Sequence, residues 1–292
     1  MLKFGNTYLN FGGTYLTDWV DQYNPLDLPA YTIQLKYNDG ITPSFRYGTA
    51  TQVSQSPNIW NLTYENTDWQ VLLYNDRALI EVLGANVNGV TSMHGMFRDC
   101  RNLTKVSMFN TFSLISADDM FFDCRVLRNV SLFNTSKVTN MLGMFYDCYV
   151  LNDVPLFDTS NVSSMYGTFM QCKELTTVPK FNTSNVTDMN GTFANCYRLS
   201  SVPLLDTSRV VNMYDTFANC DLRYIPLFDT SNVTNMNGTF NDCRNVTGGA
   251  LALYKQASTQ PYPPTHKYTF GTCGIDTQTG SAELAQIPSD WK

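Results

Sequence analysis

The chain has 292 residues, 43% of them hydrophobic and 15% charged, with a formal net charge of −6 and a pI near 4.8. That acidic balance argues against nucleic-acid binding, which needs Lys and Arg clustered against phosphates, and no apolar run approaches the ~20 residues of a bilayer-spanning helix. Abundant Asn, Thr, Ser and Tyr give a polar but weakly charged surface, a composition common among extracellular and virion proteins.

The chain begins MLKFGNTYLNFGGTYLTDW, where Gly, Asn and Thr interrupt every apolar stretch. A secretory signal needs an unbroken apolar region of ~7–15 residues after a basic start; none is present here, so the expectation is either that such a leader has been removed or that the protein reaches its destination without that export route. Residues 1–24 are expected to be an anchoring segment. Residues 31–48, YTIQLKYNDGITPSFRYG, read as a β-hairpin about the NDG turn. With Trp60 and Trp69 they place a small β-rich domain over 25–84 that covers the first repeat.

From there one phrase recurs. Cysteines at 100, 124, 148, 172, 196, 220 and 243 are separated by 24, 24, 24, 24, 24 and 23 residues, and Cys273 lies outside that pattern. The unit reads C-x-x-L-x-x-V-P-x-F-[DN]-T-S-x-V-x-x-M-x-G-[TM]-F-x-x-C. The shorter spacing comes from one residue missing just after Cys220. A fixed period of 20–50 residues marks a solenoid. One unit offers a handful of large apolar side chains worth roughly 1.5–3 kcal/mol each, against about 1.5 kcal/mol per ordered residue. A lone unit cannot fold, and stacking must bury both of its faces.

Within a unit, LTTVPKF (175–181) alternates as a short strand, and the column Pro155, Pro179, Pro203 and Pro226 should mark where strands stop pairing. The [DN]TS triplet suits turn or helix-start capping. GTFANC (191–196) suits a short helical segment, with VTDM (186–189) either extended or leading into it. After Cys243, GGALALYKQAST (248–259) is a helix candidate, and residues 248–292 are expected to form a C-terminal cap.

The repeated phrase, as in FDTSNVTNMNGTFNDC (228–243), resembles the BspA-like leucine-rich repeat, especially its mycoplasma-lipoprotein variant, over roughly residues 85–247. The resemblance implies a leucine-rich-repeat-like solenoid of short strands and short helical turns with a ~24-residue repeat, used for surface attachment. Both chain ends are similar to those of proteins from Bacteroides phages and prophages, which implies a virion protein.

Seven thiols at one slot of stacked units should form a column roughly 5 Å apart. Disulfides are conceivable at that distance, but an odd column cannot pair completely. A metal needs ligands converging from different directions. A small buried residue filling a tight corner is the reading adopted. His94 and His266 lack triad partners in sequence. The acid at Asp158, Asp206 and Asp229 alternates with Asn134 and Asn182, which suits turn capping better than catalysis, and the units lack the dense Asp and Gly pattern of calcium-binding repeats.

The expectation is therefore a non-enzymatic attachment protein with no cofactor and no metal. The virion is its expected location, as a tail or head appendage, with a bacterial cell-surface adhesin as the alternative and a glycan-processing enzyme a third reading. Variable slots between constant ones are where specificity resides in repeat scaffolds, and Tyr is a favoured contact residue. Tyr146, Tyr149, Tyr166, Tyr197 and Tyr214 are the expected recognition strip. Expected partners are a host-surface protein or glycan receptor, other virion proteins through the N-terminal segment, and a second copy of the chain. Neither nucleic acid nor membrane insertion is expected.

Overall fold

The computed structural model describes residues 2–4, 7–9, 28–107 and 109–292. The fold consists mostly of strands in an open mixed sheet, with few helices. Strands β1 (Leu2–Phe4) and β2 (Thr7–Leu9) pair antiparallel. The rest of the expected anchoring segment lies outside the described residues.

The next strands are β3 (Thr32–Tyr37), β4 (Thr49–Gln55), β5 (Asn58–Thr63) and β6 (Leu79–Asn86). Their antiparallel order is β4-β5-β3-β6. The hairpin expected over 31–48 does not form. β3 pairs with β5 on one side and β6 on the other, and the true hairpin joins β4 to β5. NDG does turn the chain, but the stretch after it carries Pro43, which has no N–H to give a ladder. That stretch instead runs as an irregular loop to Gly48.

β6 is where the two halves of the sheet meet. It pairs antiparallel with β3 and parallel with β7 (Lys105–Val106) and β8 (Phe109–Asn110), and β7 continues in parallel to β9 (Asn129–Val130). Parallel bridges then link Asp68 to Ser92, Ser116, Asn140, Ser164, Asp188, Asn212, Asn235 and Thr265 in succession. The series therefore starts before residue 85 and continues past 247, and β6 spans the boundary expected at 84/85.

The parallel strands are short for a visible reason. In the two units that carry Ser at the proline slot, Ser107 and Ser131 donate to the carbonyls of Val82 and Val106, at 2.9 and 3.1 Å, and β7 and β9 form. From Pro155 onward the donor is gone, and an isolated bridge between Thr177 and Ser201 remains among the described residues.

The segment expected to be helical, GTFANC, is not a helix. VTDM is extended through its bridge at Asp188, and a series of tight turns follows. Backbone donors alternate along this corner. Met93, Gly95, Phe97 and Asp99 donate forward to Ser116, Asp118, Met120 and Phe122 of the next unit at 3.0, 3.0, 2.9 and 2.8 Å. Between them, Met96, Arg98 and Cys100 donate back three residues to Met93, Gly95 and Phe97 at 3.1, 3.0 and 3.1 Å. The first and last of these turns carry positive φ at their third residue, at Gly95 (55°) and Asp99 (63°), at Gly191 (59°) and Asn195 (62°), and at the matching slots of the other units. Gly, Asn and Asp tolerate that region best, which is why the phrase carries G before F and D or N before C.

Two features fill the interior. Phe97, Phe121, Phe145, Phe169, Phe193, Phe217, Phe240 and Phe270 form a column of nearly parallel rings, with centroids 5.4–5.9 Å apart. Beside it, all eight cysteines are free and buried. Each thiol from Cys100 to Cys243 donates to the carbonyl at the Phe slot of the preceding unit, as Cys124 does to Phe97 at 3.1 Å and Cys148 to Phe121 at 3.2 Å. Cys therefore occupies the corner as a small residue that is also a donor.

Cys273 belongs to the same column. Gly238, Phe240 and Asp242 donate to Lys267, Thr269 and Gly271 as in every earlier pair of units. Helix α1 (Ala250–Ser258), inside the expected 248–259, is the insertion that widens the spacing there. Helix α2 (Gln278–Ala285) and a 3-10 turn (Ser289–Trp291) follow. Trp291 lies over Phe270, with centroids 6.2 Å apart, and ends the ring column.

Candidate functional site

The corner segments set exposed or half-buried variable side chains beside constant residues that are buried. The slot before the second left-handed residue holds Arg98, Phe122, Tyr146 and Met170 in successive units, and the slot after cysteine holds Arg101, Arg125, Tyr149, Lys173, Tyr197, Asp221 and Arg244.

In the first units these side chains are occupied with one another. The Arg98 guanidinium lies 4.0 Å above the Phe122 ring, and Phe122 stacks on Tyr146 with centroids 4.7 Å apart and planes 9° from parallel. Arg98 also pairs with Asp119. In the neighbouring slot, Arg101 and Arg125 both hold Asp123, at 2.6 and 2.5 Å. Lys173 Nζ lies 4.0 Å from the Tyr149 centroid, and the Arg125 guanidinium lies 5.4 Å from it. Burial would raise the Asp123 carboxyl, but hydrogen bonding to Arg125 and the two guanidinium charges hold it below its ordinary range. Burial pushes the phenols of Tyr146 and Tyr149 up.

The five tyrosines therefore do not form one uniform patch. Tyr146 and Tyr149 are half-buried members of cation–ring stacks. Tyr166, Tyr197 and Tyr214 are exposed, at 41, 51 and 42%. Tyr166 sits beside Tyr146, whose ring lies over Gly167. Tyr214 occupies Tyr166's slot two units later, about 10 Å away at the spacing of paired strands. There the neighbouring Asp215 charge pushes its phenol up. Tyr197 is set apart and borders a cavity of about 310 Å³ at the shortened unit, with Asn219, Asp221 and Arg244 also in its wall. A second cavity, of about 390 Å³, lies between the loop at Ile41–Arg46 and the corner at Val71–Ala78.

His94 is half-buried, with Nδ1 2.5 Å from Asp118 Oδ2. Ser116 also bonds to Asp118. The acids of the DTS phrase act as turn caps. Asp158 Oδ1 accepts from Ser160 N and Oγ at 3.0 and 2.6 Å, while Thr159 Oγ1 donates to the Asn182 carbonyl of the next unit at 2.8 Å. Sequence reasoning missed the cavity at the shortened unit, although the 23-residue spacing was its signal. It also missed the pairing of Tyr149 with residues 24 positions away on either side.

No curated protein matches the chain. Among solved structures, a leucine-rich cell surface protein from Faecalibacterium prausnitzii A2-165 aligns at 20% identity and a TM-score of 0.41, covering 57% of this chain and 48% of that one. The chain thus spans about half the length of that protein. The family described as "Mycoplasma protein of unknown function, DUF285" matches residues 67–177 and 163–257. Those limits include the corner at Trp69, which donates to Ser92 at 2.9 Å as the later units do to their successors. By its sequence and its repeated phrase, the chain belongs to this family of BspA-like repeat proteins.

Proposed function

We propose that the protein is a non-enzymatic attachment module, a solenoid of ~24-residue repeats ended by its N-terminal β-rich domain and C-terminal segment, which holds a strip of variable side chains at fixed spacing. The observation that carries this is the division of labour within each unit. Phe, Cys, Met and Val are buried in unit after unit, while Tyr166, Tyr197 and Tyr214 in the varying slots face solvent. Exposed tyrosines on a rigid backbone offer contact area at small entropic cost. The non-enzymatic reading is supported by the Ser116–Asp118–His94 group. Its serine bonds the carboxylate rather than the imidazole, so the base has no nucleophile to activate.

The likeness of the chain ends to phage proteins favours a virion appendage anchored through residues 1–24. The repeat family favours a bacterial surface as the second placement. A host-surface protein or glycan is the proposed partner, and self-association of the shaft is compatible with either placement.

Labelled full-length chain should bind host cells saturably, and the triple variant Tyr166→Ala, Tyr197→Ala, Tyr214→Ala should bind at least tenfold more weakly with unchanged thermal unfolding. Equal binding by the variant would overturn the reading. Immunogold labelling of purified virions against washed bacterial cells separates the two placements.

A further inference from the structure

The shortened unit carries a notch at its outer edge. Elsewhere two residues separate cysteine from the following leucine or valine, whose amide closes a turn onto the cysteine carbonyl. Leu103, Leu175 and Leu199 do so onto Cys100, Cys172 and Cys196, at 3.0, 3.2 and 2.9 Å. At Cys220 one residue intervenes, so that three-residue turn cannot close and the outer edge of the corner is drawn in. The units on either side keep their full edges. The result is the cavity of about 310 Å³, with Tyr197 from the preceding unit on one wall, Asp242, Arg244 and Asn245 from the following unit on the other, and Asn219, Cys220 and Asp221 between them. Cys220 itself is 3% exposed, whereas the six other cysteines spaced with it are at 0%.

The charges around the notch are already paired. Asp221 accepts from Arg223 Nη2 at 3.1 Å and from Asn245 Nδ2 at 2.6 Å, Arg244 holds Asp276 through two bonds of 2.8 and 3.1 Å, and Asp242 accepts from Thr272 Oγ1 at 2.6 Å with Arg244 Nη1 3.7 Å away. An ion would have to break one of these pairs to bind tightly. A neutral polyhydroxyl ligand would not, because a carboxylate has about four acceptor sites and a guanidinium five donors. The exposed Tyr197 ring supplies a flat apolar surface for the C–H face of a sugar ring. The volume is near the ~300 Å³ lower end for small-molecule sites.

We infer that the notch at Asp221 is a carbohydrate-binding site that takes a neutral sugar ring at the end of a glycan, with Tyr197 as stacking platform and Asp221 and Arg244 as hydroxyl partners. This rests on the attachment reading and gives that reading a ligand class and a position.

The test is saturation-transfer NMR on the full chain with methyl glucoside, galactoside, mannoside and N-acetylglucosaminide. At least one should bind. Tyr197→Ala should weaken it tenfold or more. Inserting one Asn between Asp221 and Leu222, which restores the 24-residue spacing, should abolish binding while the unfolding temperature is maintained or raised. Binding that survives the insertion, or a notch silent to all four glycosides, overturns the proposal. So does a notch that takes methylguanidinium instead, since that assigns it to a cationic side chain. Cell binding run in parallel separates the two failures: a chain that attaches to cells but ignores glycosides refutes the notch alone, and one that binds glycosides but no cells refutes attachment alone.

Discussion

At the scale of single residues, cysteine is the most informative letter in the phrase. Its thiol fills a corner and donates to the preceding unit's Phe carbonyl, so Cys148→Ala should cost about 1–2 kcal/mol through the lost bond and the small cavity, measured by urea unfolding. The same burial makes the protein sensitive to base. Burial pushes every one of the eight thiols above its ordinary value of 9.0, Cys243 to about 12. A folded-state value raised above the unfolded one leaves the contribution to stability intact below pH 9. It is lost as pH rises from there toward the folded-state value, at about 1.4 kcal/mol per pH unit for each thiol. The unfolding midpoint should therefore fall steeply above pH 9, and a variant with several column cysteines replaced by Ala should show a shallower slope.

Left-handed glycines offer a second residue-level test. At Gly143 and Gly238 a Cβ would run into the carboxylates of Asp119 and Asp215 in the unit before, whereas at Gly191 it would meet only the Met170 sulfur, at 3.5 Å. Gly191→Ala should cost about 1–2 kcal/mol for the backbone conformation. Gly238→Ala should cost more, and Asp215→Gly should remove the excess in a double-mutant cycle.

At the scale of elements, proline decides where strands exist. Pro179→Ser restores an N–H at the slot where Ser131 bonds the Val106 carbonyl. It should produce one newly protected amide in hydrogen exchange, with global stability changed by less than about 1.5 kcal/mol. This column was legible in the sequence, because a missing donor has the same consequence in any context. The corner was not. Val186, Met189, Phe193 and Cys196 recur at helical spacing, but Gly191 and Asn195 adopt left-handed backbone, and each amide between forward donors folds back three residues. Helix-like spacing arose from a chain of tight turns that face one interior. The partners of β3 were equally hidden, since strand choice across β5 and β6 depends on packing far along the chain. Cys273 escaped because α1 stretches its spacing beyond the period. For the tyrosines, chemistry was legible and availability was not: whether Tyr149 is free depends on Arg125 and Lys173 in the units on either side.

At the scale of the molecule, the units should be interchangeable in number but not divisible. Deleting residues 165–188 joins Ser164 to Met189 in register and should leave a cooperatively folded protein with a smaller denaturant dependence. Deleting 165–176 leaves the chain half a unit out of phase and should abolish cooperative unfolding, as followed by circular dichroism. Retained cooperativity in the second variant would show that the period does not govern assembly.

The regular bridge series also bears on how the chain reaches its native state. From Asp68 to Asn212 each bridge joins residues 24 apart, and only the last two, Asn212–Asn235 and Asn235–Thr265, depart from that separation. Closing one more loop thus costs nearly the same entropy wherever folding begins, and a neighbour already in place lowers the cost of the next closure. Relative contact order falls as units are added, so a longer member of the family should zip up from any nucleated pair, with no late, distant closure to slow it.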